Sequence, residues 1–130
     1  MTFEVPAKAE ELLTRGPRIA HLATCHDDRP HVAPLWYNYR AGTVEITTTG
    51  RKLTNIRKNP RVAMSVQQDD AGRAEWGVTL LGTASVVEDP EEREAVLARI
   101  NRRYGADEDA WEENTPVTID VSSVDYWDYD

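Results

Sequence analysis

Apolar residues along this 130-residue chain change their spacing several times, and each change marks an element. Residues 6–15 read as a short helix, with Pro6 suited to its first turn and Gly16-Pro17 stopping it. Strand patterning follows over 18–24. The polar stretch His26-Asp27-Asp28-Arg29-Pro30 is turn chemistry, and residues 31–39 behind it are rich in β-branched and aromatic side chains, so the two segments suggest a hairpin. Pro34 cannot donate to a ladder, which marks an edge, a bulge or the point where a barrel splits open. Arg40-Ala41-Gly42 turns the chain into 43–49, where Val44 and Ile46 alternate with Glu45 and Thr47.

Leu53 and Ile56 fall three apart, on one side of a short helix over 51–58 that Asn59-Pro60 ends. Val62, Met64 and Val66 restore period two across 61–68. The loop Asp69-Asp70-Ala71-Gly72 leads to a long strand over 76–88, in which Gly82 permits a sharp bend. Asp89-Pro90-Glu91-Glu92 is a helix start, with Asp89 as cap, Pro90 in the first position and Glu92 closing a capping box. Val96, Leu97, Ile100 and Tyr104 then recur at helical spacing up to Gly105. After an acidic loop to Asn114, Val117, Ile119 and Val121 mark a last strand over 115–124. About six strands with two or three inserted helices make a mainly β chain, a small closed or partly open antiparallel barrel. The connections are too short for the parallel crossovers of a doubly wound sheet.

Length limits this chain to about one domain, so a ligand site must lie on the barrel surface or between subunits. A net charge of −8, from 23 acidic against 15 basic residues, disfavours nucleic acid and anionic membrane surfaces as partners. The scarcity of lysine (Lys8, Lys52 and Lys58 only) fits a salty cytoplasm or a GC-rich genome. Cys25 is the single cysteine, the first residues lack the order of a signal peptide, and no apolar run approaches membrane-spanning length. The expectation is a soluble cytoplasmic protein.

Against that acidity, the run 51–61 carries Arg51, Lys52, Arg57, Lys58 and Arg61 and no acid. Arg57 and Lys58 suit a helix C-terminus. Arg51 and Lys52 do not suit an N-terminus, where the helix dipole repels each cation by roughly 0.3–1 kcal/mol. They make physical sense if an anion sits there, held by free backbone N–H groups, the dipole and the two side chains, with Thr47, Thr48, Thr49 and Gly50 adding hydroxyls and a flexible approach. A phosphate is the expected anion, although neither a Walker A nor a Gly-x-Gly-x-x-Gly spacing occurs. A solvated basic helix paired with acids of a second subunit is the other reading.

The order strand, His31-Val32-Ala33-Pro34-Leu35-Trp36-Tyr37, strand 43–49, then Gly50-Arg51-Lys52-Leu53-Thr54-Asn55-Ile56-Arg57-Lys58-Asn59-Pro60-Arg61-Val62-Ala63, resembles the pyridoxamine 5′-phosphate oxidase-like family of FMN-binding split barrels. The resemblance covers residues 8–125 in layout and is specific mainly over 18–66. It implies that Arg51 and Lys52 grip the cofactor phosphate and that Thr47 and Thr48 line the phosphate-ribityl part. It places the backbone of Pro34, Leu35 and Trp36 beside the flavin ring, and implies that Trp76 and Gly77 reach the cofactor from a second subunit of a homodimer with interfacial sites.

True pyridoxamine phosphate oxidases end in a basic substrate-binding segment, whereas this chain ends in Asp125-Tyr126-Trp127-Asp128-Tyr129-Asp130. The expectation is therefore an FMN-dependent oxidoreductase acting on some other small molecule. Relatives of this fold that use the deazaflavin F420, and haem-binding relatives that would draw on His31, are the alternatives, as is a non-enzymatic carrier. The flavin would carry the redox chemistry, so no general base is named. His21, Cys25, His26 and His31 do not match a tetrahedral metal set, and residues 107–113, with Trp111 among acids, read as a solvated loop.

Overall fold

The computed structural model describes residues 3–129. Three helices, α1 (Ala7–Thr14), α2 (Gly50–Lys58) and α3 (Pro90–Arg103), are set among seven strands: β1 (Ala20–His26), β2 (Arg29–Leu35), β3 (Tyr37–Arg40), β4 (Thr43–Thr48), β5 (Arg61–Asp70), β6 (Arg73–Val86) and β7 (Thr115–Asp128). All pairings are antiparallel, in the order β2-β1-β5-β6-β7-β4-β3.

Seven strands stand where six were expected, because the single strand read over 31–39 is two. β2 ends at Leu35, opposite Ala20 of β1, and β3 starts at Tyr37, opposite Ile46 of β4. Only Trp36 separates them, yet they form the two opposite edges of the sheet. The chain thus leaves one edge and enters the other, wrapping the sheet into a split barrel, and Pro34 lies just ahead of that break.

Hydrophobic burial follows the expected alternation. Val44, Ile46, Val62, Met64, Val66, Val117, Ile119 and Val121 are buried, joined by Ala9, Leu12 and Leu13 of α1. Glu45 departs from it. Expected on an outer face, it is 2% exposed, and Arg99 of α3 pairs with it bidentately, Nε to Oε1 at 2.9 Å and Nη2 to Oε2 at 2.6 Å, while Asn38 donates to Oε1 at 2.9 Å. The carboxylate is therefore a docking point for α3, and its partners satisfy a charge that burial alone would make costly.

The turns are tighter than the sequence suggested. Asp27-Asp28, Ala41-Gly42 and Ala71-Gly72 are two-residue hairpin loops with positive φ at both positions, the geometry that matches the twist of the flanking strands. Gly82 sits at a register shift between β6 and β7, where an added Cβ would lie 2.6 Å from Ile119 Cγ2 and 2.7 Å from the Asp120 carbonyl. Asp89 caps α3 as expected, accepting from the Glu92 N–H at 2.9 Å.

Tyr104, just past α3, holds the break closed. Its hydroxyl accepts from the Tyr37 N–H at 3.1 Å and donates to the Arg18 carbonyl at 2.6 Å, and its ring stacks on Trp36 with centroids 4.6 Å apart and planes 7° apart. Burial raises the Tyr104 phenol above its ordinary pKa, so it stays protonated and able to donate. Tyr104→Phe strands a buried N–H and is expected to cost about 1–3 kcal/mol in urea unfolding, and Tyr104→Leu, which also loses the stack, more. Equal stability of both variants with the parent would contradict this role.

Candidate functional site

Helix α2 is fixed in direction by its last two turns. The Asn55 side chain donates to Thr24 Oγ1 at 3.0 Å, both residues being buried, Asn59 donates to the Cys25 carbonyl at 3.0 Å, and Ile56 enters the core. The other end is open. Thr49 occupies the N-cap position in extended conformation without a side-chain cap bond, no acid lies in the first turn, and Arg57 and Lys58 occupy the last. The N–H groups of the first turn thus lack carbonyl partners in the helix, and the dipole's positive end is left uncompensated by any nearby acid of α2.

Adjacent positions on a helix diverge by about 100°, and Arg51 and Lys52 accordingly face two cavities. Lys52 lines one of about 360 Å³, with Pro34, Leu35 and Trp36 at the barrel break, Thr47 and Thr49 before the helix, and Trp111 and Asn114 from the loop after α3. Arg51 and Asn55 line another of about 380 Å³, with His26, Asp27, Arg29, Pro30 and His31 around the first hairpin. His31 Nδ1 is buried there without a hydrogen-bond partner.

Of the residues singled out in the sequence, Pro34, Leu35, Trp36, Thr47 and Lys52 are brought together in the first cavity. Thr48 is not, because strand alternation turns it inward: it is 1% exposed and its hydroxyl donates to the Thr115 carbonyl at 3.2 Å. Arg51 belongs to the neighbouring cavity.

Trp76 and Gly77 lie elsewhere on the barrel, paired with Asp128 and Trp127 of β7. The Trp76 indole is 1% exposed, with the Arg15 and Arg18 guanidinium groups over it at 5.8 and 6.0 Å. Gly77 is the floor for Trp127, since an added Cβ would fall 2.1 Å from the indole Cζ2. That fit, with the β propensity of its aromatics, explains why β7 runs four residues beyond its expected end. The acidic terminus is also engaged within the chain, Asp128 pairing with Lys8 at 2.9 Å.

Trp111 and Asn114 were missed, since the acidic run around them reads as solvated. A lone tryptophan inside such a run was the available signal. Tyr104 was read only as a core position of its helix, because a contact with Trp36 across 68 residues leaves no mark in local periodicity.

The sequence profile described as pyridoxamine 5′-phosphate oxidase matches residues 5–128. The chain belongs to that family. Among solved structures, the conserved hypothetical protein Rv2991 of Mycobacterium tuberculosis is 27% identical over 97% of this chain and 87% of its own, with a TM-score of 0.80. A protein named F420 reductase is 28% identical over 93% of this chain and 98% of its own, with a TM-score of 0.72. A FAD-binding protein of Mesorhizobium loti shares the fold at 22% identity, covering 95% of each chain, with a TM-score of 0.72. No protein of curated function matches the sequence.

Proteins named for FAD and for F420 thus share this fold, and a ligand of this chain must be argued from its own cavity walls. No helix in the described residues is long and apolar enough to cross a membrane.

Gly77→Ala is expected to evict the Trp127 indole and lower stability by about 1–3 kcal/mol in urea unfolding, as overpacking does. An unchanged Trp127 environment and stability would show that the indole does not rest on Gly77.

Proposed function

We propose that this protein is a flavin-dependent oxidoreductase that binds FMN by its phosphate at the N-terminus of α2 and works as a homodimer on a small-molecule substrate. The carrying observation is the cavity itself. It joins an uncapped helix end and Lys52 to two threonines and to the apolar wall Pro34-Leu35-Trp36. An anionic head and a flat, largely apolar ring on one ligand need those two environments side by side.

The chain's own residues fit the group. Lys52 and the first-turn N–H groups would neutralise and hold the phosphate, and the Thr47 and Thr49 hydroxyls would donate to its ester and ribityl oxygens. Trp36 lies between β2 and β3, in neither strand, so its own N–H and C=O, outside the strand ladders, would meet the ring's heteroatoms. A bound flavin supplies hydride transfer. The protein's part is to orient the ring along Pro34, Leu35 and Trp36 and to keep water off that face.

The dimer is supported by the outer face of the barrel. Val32 and Leu81 are 65% and 54% exposed there, beside Ala23, Ala63, Ser65 and Thr79 around a shallow depression of about 340 Å³. A second copy would bury this small-residue face, and what it would lend a neighbouring site at Trp76 and Gly77 is backbone, since the Trp76 indole is already enclosed.

F420 is the second reading. Similarity to the F420 reductase favours it, and so does the separate placement of Arg51 with Arg29, because an anionic tail longer than one phosphate would engage both cavities. Haem would draw on His31, which lies apart from Trp36 and Lys52.

The visible spectrum of the purified, reloaded protein separates FMN, F420 and haem, and no uptake of any of them would defeat the proposal. Lys52→Ala is expected to weaken FMN binding about 10–100-fold, the worth of a charge-assisted hydrogen bond, and Arg51→Ala less. Arg57→Ala with Lys58→Ala should leave it nearly unchanged. FMN binding that ignores Lys52 would contradict the phosphate assignment.

A further inference from the structure

Five non-glycine residues among those described have a left-handed backbone. Asp27, Asp28, Ala41 and Ala71 owe it to two-residue hairpins. The fifth is Trp111, at φ 61°, in the connection between α3 and β7, where no hairpin demands it. A bulky residue held there is strained, and such strain persists only where the surroundings impose it, most often at ligand-holding positions.

The surroundings do impose it. Asn101 of α3, 1% exposed, donates through Nδ2 to the Glu108 carbonyl at 3.1 Å and to the Ala110 carbonyl at 2.8 Å. The Ala110 N–H bonds the Asp107 carbonyl at 3.0 Å, and the Asn114 N–H bonds that of Trp111 at 2.9 Å. A buried amide of α3 therefore sets the loop's path from within.

Despite this ordering, Trp111 remains 54% exposed. It lines the cavity of Pro34, Leu35, Trp36, Thr47 and Lys52. The other indole in that cavity, Trp36, is already backed by Tyr104. Trp111 is the aromatic wall with a free face. Its flanks, Asp107, Glu108, Asp109, Glu112 and Glu113, repel an anion, so the ligand's phosphate belongs at Lys52 and α2 and its uncharged planar part at Trp111.

We infer that Trp111 stacks on the ring of the bound cofactor and, with the Asn101-anchored loop, forms a preformed aromatic wall of its cavity. This rests on the cofactor reading above. A rigid, preformed aromatic wall lowers the ordering cost of binding.

The test uses the full chain, freed of cofactor and titrated with FMN and, separately, with F420, following ligand fluorescence. Trp111→Ala is expected to weaken the ring-bearing ligand about tenfold and to raise the emission of the bound ring, which a stacked indole quenches, while Trp111→Phe stays within about threefold of the parent. Trp111→Gly, which relieves the left-handed strain, should bind as weakly as the alanine variant yet unfold at no lower temperature than the parent. A merely structural tryptophan would instead lower the unfolding temperature in both variants and leave bound emission unchanged.

If the parent binds with dependence on Lys52 but Trp111→Ala binds as tightly and as dimly, the stacking wall is overturned and the phosphate site stands. If Trp111→Ala weakens binding while Lys52→Ala does not, the wall stands and the phosphate assignment falls. Binding of neither FMN nor F420 by the parent overturns both.

Discussion

The structure depends on one constraint: residues 29–40 must serve both edges of the sheet, with a single residue, Trp36, between them. A strand that continued straight would pair on one side only and leave the barrel open. At the break the chain gives up ladder hydrogen bonds around Trp36, and Tyr104 replaces part of them by bridging the Tyr37 N–H and the Arg18 carbonyl. The same tyrosine fixes the Trp36 ring. One side chain at the end of α3 thus closes the barrel and sets a wall of the candidate site, so fold and site share their determinants.

Helix α3 is held by its buried Val96, Leu97 and Ile100 and by one charged anchor. Arg99 docks it on the buried Glu45, a carboxylate that would destabilise the barrel if left alone. Asn101, two residues on, anchors the following loop and hence Trp111. From Glu45 through Arg99 to Asn101, Tyr104 and Trp111, a series of polar contacts organises one side of the cavity, and α2 supplies the other through Asn55 and Thr24. The two halves differ in kind: one side presents flat apolar surface, the other a helix N-terminus with Lys52.

Much of this was legible in residue order. Alternating Val, Ile and Met located the strands, the Asp89-Pro90 cap located α3, and the misplaced cations at the start of α2 marked that helix end. Pro34 signalled a split without showing that its strand divides. What stayed hidden depends on partners far apart in the chain. Glu45 looks solvent-facing until Arg99 arrives from 54 residues away, and Thr48 looks equivalent to Thr47 until strand register turns it to Thr115. Arg51 and Lys52 look like one pair of grips, and only their angular separation on the helix assigns them to different cavities. Trp111 was obscured by its acidic neighbours, since composition cannot report a left-handed backbone.

The central claim is that an anion-bearing flat ligand lies between the N-terminus of α2 and the wall at Trp36. Backbone and indole N–H NMR during titration with FMN tests it most directly, because it reports location without presuming activity. The account predicts the largest shifts at the N–H groups of residues 50–53 and at the Trp36 and Trp111 indoles. Shifts concentrated instead at the acidic cavity around Glu94, Asp109 and Glu112, or spread evenly with none at the start of α2, would contradict it.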